Sequence, residues 1–258
     1  MLRKLLCIIG VSGLLFAAPL GIASAADMPV KAPPPPPAWS WTGFYIGLNG
    51  GYGWGTNNSA NNVGCSGPGI CTYVAAGGFP PVQLTPNGFI GGGQIGYNWQ
   101  VSNLVWGLEA DFQGSGIKAS GAQTVTPLGL VSGTDSLQEK LPWFGTVRGR
   151  LGIPVSNNWL LYATGGLIYG DVSRSSNRMN LFTGTTGTGS SSSVQDGWTL
   201  GSGTEVALAG RWTAKLEYLY FDLGRTSVTS FDAVAGTYLT VSQRMAGSIL
   251  RAGLNYRF

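Results

Sequence analysis

From Trp41 to the end of the chain, apolar positions recur every second residue, the period of a β-strand with two unlike faces. The first segment puts Phe44, Ile46, Leu48, Tyr52 and Trp54 on one face, and Tyr45, Gly47, Asn49, Gly51 and Gly53 on the other. Seven more segments follow: Phe89 to Trp99, Leu104 to Phe112, Trp143 to Ile153, Trp159 to Tyr169, Trp198 to Leu208, Trp212 to Tyr220 and Leu250 to Phe258. Connections after odd-numbered strands are long, spanning 55–87, 116–139, 171–196 and 223–246. Those after even-numbered strands are short, spanning 100–103, 154–158 and 209–211. Short turns alternating with long loops predict an all-β fold, an eight-stranded antiparallel up-and-down transmembrane β-barrel with both termini in the periplasm. Strand-like residues from Thr237 to Gln243 read as extensions of the strands above the membrane, with ten strands as the alternative.

Aromatic residues follow the same plan. Trp54, Phe89, Phe112, Trp143, Tyr169, Trp198 and Tyr220 fall on the apolar face beside long loops, and Phe44, Trp99, Trp159, Trp212 and Phe258 beside short turns. Trp159 and Tyr169 are ten residues apart on one strand. With a tilt near 40° that spacing is roughly 25 Å, the height of the apolar band between two interfacial girdles.

Composition narrows the function. Of 258 residues, 42 are Gly, 26 are charged and none is His. So few charges would make a poor water-facing surface, and beyond the N-terminus no apolar run is long enough for a membrane helix. Without His there is no Ser-His-Asp or Cys-His relay, no His-bound zinc and no proximal-His haem. The expectation is a protein that is not an enzyme, with no catalytic residue, cofactor or metal. The net charge of +4 falls to +2 once Arg3 and Lys4 are removed, so nucleic acid is not an expected partner.

Residues 1–25 have the form of a secretory signal: basic Arg3 and Lys4, an apolar Leu5 to Phe16, and Ala23-Ser24-Ala25 as the cleavage motif. The alternative is an uncleaved anchor helix. Residues 26–40 form a periplasmic linker around Pro33 to Pro37, which favour an extended polyproline II spacer. The barrel itself is 41–258. Cys65 and Cys71 flank a turn-like Ser66-Gly67-Pro68-Gly69-Ile70, and an exported chain favours a disulfide there over a metal or redox role.

The face turned away from lipid carries Glu109, Asp111, Glu205 and Glu217 against Arg148, Arg150, Lys215 and Arg251. Four acids matching four bases predict an ion-pair network filling a narrow lumen. The other reading is a constriction passing ions or small solutes. An eight-stranded interior is just wide enough for side chains, which disfavours a general porin. The long connections, notably Thr183 to Ser193, have the composition of hydrated, flexible surface. Arg174 and Arg178 in the third loop are placed either against lipopolysaccharide phosphates or free in solvent.

Ser40-Trp41-Thr42-Gly43-Phe44-Tyr45-Ile46-Gly47, the seventh strand from Lys215 to Gly224, and Arg251 to Phe258 resemble the small outer-membrane β-barrel proteins of alphaproteobacteria, within the wider group of OmpA-type barrels. The resemblance covers the signal, the linker and every strand, but not the loops. It implies a porin-family surface protein of the outer membrane that supports envelope integrity. The partners implied are outer-membrane lipid and lipopolysaccharide, with the barrel-assembly machinery during biogenesis reading Leu254, Tyr256 and Phe258 as a C-terminal signal. OmpA-type proteins often add a peptidoglycan-binding domain, an activity not expected where the sequence ends at strand eight. Some relatives are reported as hemin binders, and a haem here would need Tyr or Met ligation; a hemin-binding or adhesive surface protein is the further alternative.

Overall fold

A chain whose strands are apolar on one face and polar on the other can satisfy its backbone in lipid only by closing the sheet on itself. The computed structural model describes residues 39–56, 58–75, 81–125, 133–181, 184–234 and 236–258, and these form such a ring. The signal reading and residues 26–38 of the linker lie outside the described residues. The elements are β1 (Gly43–Gly55), β2 (Asn58–Cys65), α1 (Pro68–Ala75), β3 (Val82–Leu84), β4 (Asn87–Val101), β5 (Leu104–Val125), β6 (Gly133–Ser156), β7 (Trp159–Asn180), β8 (Thr186–Ala207), β9 (Trp212–Asp232) and β10 (Thr237–Arg257). Among the described residues no helix is long and apolar enough to cross a membrane.

Eight strands close the ring in the order β1-β4-β5-β6-β7-β8-β9-β10, with β10 returning to β1. Following ladder partners once around from Tyr45 leads through Gly96, Glu109, Arg148, Gly166, Thr199, Phe221 and Gly247 to Gly55, ten residues further along β1. That stagger across eight strands fixes a tilt of about 40° and a backbone radius of about 8 Å. Opposite walls of so narrow a cylinder lie within reach of long side chains.

Within the membrane the faces fall as the alternation requires. Leu48, Leu108, Leu167 and Leu216 point outward and are exposed, while Asn49, Glu109, Gly166 and Glu217 point inward. Two expectations about the loops are corrected. Strands β5 to β10 run on past the outer aromatic girdle, so most of the 116–139, 171–196 and 223–246 connections are sheet. Thr186 to Ser193 belong to β8, not to a flexible loop, whereas Thr237 to Gln243 extend β10 above the membrane as their pattern predicts. The two additional strands come instead from the first connection, where β2 pairs with the upper part of β10 and β3 pairs with β2. A Cβ on Gly121 of β5 would meet Val82 and Leu84, so this hairpin continues the wall where β1 and β4 end.

Above the girdle the alternation persists with its sense inverted. Leu137, Val228, Leu239 and Val241 face inward, while Gln138, Thr229 and Thr240 face out. Water outside, rather than lipid, accounts for the reversal. Ladder irregularities mark the crossover: between Gly114 and Ile117, between Lys140 and Phe144, and between Arg244 and Ala246. A bulge adds one residue and shifts which parity points inward. Pro142 lies in one of them, a position where a missing backbone donor costs no ladder bond. The β8–β9 ladder is continuous from Ala207/Thr213 to Trp198/Asp222 and is met again at Thr188/Phe231.

Candidate functional site

The lumen is built in layers. At the periplasmic mouth, residues 39–42 fold against the ring. Trp41, fully buried, donates its backbone N–H to Gln100 Oε1 at 2.7 Å. Arg257 donates to the carbonyls of Ser40 (2.7 Å) and Thr42 (2.8 Å) and lies 4.9 Å over the Trp39 ring. Val105, Leu160, Tyr162 and Ala207 complete an apolar floor.

Above the floor all eight charged side chains named from the inward face come together. Arg148 Nη2 is 2.5 Å from Glu109 and 2.9 Å from Asp111, and its Nη1 is 3.1 Å from Glu217. Arg251 reaches Asp111 at 2.9 Å and Glu217 at 2.6 Å. Lys215 donates to Glu109 at 2.8 Å, and Arg150 to Glu205 at 2.7 Å. Strands β9 and β5 are four places apart in either direction around the ring, so the Lys215–Glu109 pair spans the full diameter.

Neutral groups supply further hydrogen bonds to the buried carboxylates. Tyr45 Oη donates to Glu109 at 2.7 Å, Thr146 to Asp111 at 2.8 Å, Tyr162 to Glu217 at 3.0 Å and Thr213 to Glu205 at 2.5 Å. Arg150 also stacks 3.9 Å over the Tyr162 ring. Alternation puts Tyr45, and Tyr162 between the outward Leu161 and Ala163, on this face, but sequence reasoning assigns neither a part in the network.

Above the charges comes an apolar layer that the sequence reading missed: Ile117, Leu141, Phe144, Leu219, Phe221 and Ile249, all nearly solvent-free. These residues flank the bulges, where simple alternation gives no reliable face. Next is a second ion pair, Arg174 with Glu139, in which Arg174 also donates to the carbonyls of Thr226 and Gln243. A second apolar layer caps it, formed by Val82, Leu84, Val125, Leu137, Val228 and Leu239. Near the top Asp135 faces Arg178 across the β6–β7 ladder. Burial pushes the Asp135 carboxyl above the usual carboxylate range, opposed by Arg178 and by a hydrogen bond with Gln123. Arg174 and Arg178 are therefore inside the wall, which corrects their placement as loop cations at the outer rim. The continued strand pattern, read with its sense inverted, was the signal that would have found them.

Cys65 and Cys71 are disulfide-bonded, with Cα atoms 5.4 Å apart, and the bond ties the end of β2 to α1. Leu254, Tyr256 and Phe258 all project outward at the end of β10, where Phe258 packs 5.3 Å from Tyr256 and 5.6 Å from Phe44.

A lipid-facing ring, two aromatic girdles and an inward-facing charge network define a membrane barrel, and residues 14–258 match the profile of the outer membrane protein beta-barrel domain. The chain belongs to that family. Among similar proteins of this family is the 31 kDa outer-membrane immunogenic protein of Brucella melitensis, 37% identical over 92% of this chain and 93% of the relative. The 22 kDa outer membrane protein of Rhizobium leguminosarum is 34% identical over 77% of this chain and 69% of the relative. Among solved structures, the outer membrane protein OprG of Pseudomonas aeruginosa is 12% identical over 84% of this chain and 96% of that chain, with a TM-score of 0.48. This family member is an outer-membrane protein with a buried ion-pair network.

Proposed function

We propose that this outer-membrane barrel is a structural surface protein with a closed, non-conducting lumen, and that it is not an enzyme. It would support envelope integrity as a rigid cylinder and present a polar rim outside. The observation that carries the reading is the Lys215–Glu109 bridge across the full diameter, lying between an apolar floor and two apolar layers. Ions crossing such a stack would have to separate buried pairs and then enter hydrocarbon, both strongly unfavourable. Relatives named as immunogenic outer-membrane proteins fit a surface role.

The test is conductance in a planar bilayer of refolded protein, with folding verified by the mobility difference between boiled and unboiled samples. Silence from folded protein supports a closed lumen. Discrete, reproducible steps would overturn it and make Glu109, Asp111, Arg148 and Arg150 candidates for selectivity. Hydrolysis of added lipid A or phospholipid would overturn the non-enzymatic assignment.

A further inference from the structure

On the outer wall Lys118 of β5 stands directly opposite Lys140 of β6, both exposed. Like charges directly opposite on a sheet repel. Among the described residues neither ammonium has a carboxylate within salt-bridge reach. Asp171, the outward acid two strands from Lys118, is engaged by the hydroxyls of Ser173 (3.2 Å) and Ser192 (2.7 Å). The other outward pair of like charges differs, because Arg244 opposite Arg225 is already bonded to Asp222.

The level of the lysines is set by what lies below and above. Ladder partners place Asn87, Lys118, Lys140, Ser173 and Ser192 in one row across five strands. Below them on the outer face, six residues down β5 and three down β6, are the stacked rings of Phe112 and Trp143, 5.6 Å apart, with Tyr169 6.3 Å from Trp143. Aromatic girdles mark the boundary between acyl chains and head groups. Directly above, on β6 to β8, Ser136, Gln138, Ser175, Asn177, Thr188 and Ser190 line a groove of about 450 Å³.

We infer that this face binds a phosphorylated glycolipid of the outer leaflet. One phosphate lies between Lys118 and Lys140, offsetting their repulsion. The acyl chains run down over Phe112, Trp143 and Tyr169, and sugar hydroxyls occupy the groove above. A plain phospholipid would satisfy the lysines but leave the groove empty. The site lies on the outside of the wall, so it stands or falls separately from the closed-lumen reading.

The experiment titrates bis-phosphorylated lipid A onto the refolded protein and counts bound lipid by native mass spectrometry. Replacing both lysines (Lys118→Gln with Lys140→Gln) should weaken binding roughly 20- to 30-fold, from about one kilocalorie per interfacial cation. The charge-conserving Lys118→Arg/Lys140→Arg protein should stay within about threefold of the parent. Arg211→Gln, at the periplasmic β8–β9 turn, should bind like the parent. Lipid A stripped of phosphate should not distinguish the parent from the Gln protein. Both lysines are exposed, and the mobility shift reports folding of every variant. Equal lipid A affinity for the parent and the Gln protein overturns the site. Displacement of lipid A by an equal concentration of inorganic phosphate also overturns it, by showing a site for the free anion.

Discussion

Arg148 and Arg251, on β6 and β10, converge on the same oxygen of Asp111, each at 2.9 Å. Two guanidinium groups so close are tolerable only because Glu109 and Glu217 share their charge. Removing one partner of such a cluster leaves an uncompensated charge in a dry interior. Arg148→Ala is therefore expected to lower stability by about 3–5 kcal/mol. Arg174→Ala should cost a similar amount, because it strands the buried Glu139. Exposed Arg211→Ala should stay within about 0.5 kcal/mol. Urea unfolding in lipid vesicles, followed by tryptophan emission, measures all three. Coincident midpoints for Arg148→Ala and Arg211→Ala would refute the role assigned to the network.

Lys215 and Glu109 close the lumen at one level, while Phe144, Phe221 and Ile249 close it at another. Lys215→Met should consequently remain silent in planar bilayers, although it breaks the diametric bridge. Phe144→Ala should cost about 3–5 kcal/mol by leaving a cavity among close-packed neighbours. Lys215→Met with Phe144→Ala should also stay silent, because the apolar floor and the upper apolar layer remain. Channel steps from Lys215→Met by itself would show that the apolar layer does not seal.

The Cys65–Cys71 bond closes a short loop beside the upper end of β10, where Leu239 is the ladder partner of Cys65. Such a loop is worth about 2 kcal/mol to the segment it closes. Reduction should make the segment between β1 and β4 sensitive to protease while leaving the mobility shift of the barrel intact. If the shift itself disappears on reduction, β2 and β3 are part of the barrel's cooperative unit and the local assignment is wrong.

The membrane-spanning half of the fold was legible because lipid imposes one rule on every strand. Leu48, Leu108, Leu167 and Leu216 obey it, and so do Glu109, Arg148 and Glu217 on the other face. Apart from Thr237 to Gln243, the outer half reads as loop because its rule is reversed. Asp135, Leu137, Glu139 and Leu141 alternate with Thr134, Ser136, Gln138 and Lys140 just as strictly, but here the apolar members point inward. Arg174 reads as a loop cation in a serine-rich stretch, whereas its partners Glu139 and Gln243 lie on two other strands. Partners so distant in sequence are fixed by ladder register, which bulges shift and local composition does not reveal. The lysine row was hidden for the same reason, since Lys118 and Lys140 become neighbours only after β5 and β6 extend past the girdle.

Asp135 offers a test of the outer half by pH. Its carboxyl is held above the usual range, chiefly by burial, with Arg178 opposing. Arg178 is itself drawn down by burial, against the pull of Asp135 and Asp232. A carboxyl raised in the folded state favours folding when protonated. That contribution is complete below its unfolded pKa and is lost as pH rises through the higher folded value. Asp135→Asn removes this dependence while keeping the size and polarity of the side chain. The stability of the parent minus that of the variant should thus decrease from about pH 3.5 to pH 7. Other titrating groups are common to both proteins and cancel in the difference. Paired urea midpoints at the two pH values decide it, and a difference that is flat or grows with pH would mean that Arg178, not burial, governs Asp135.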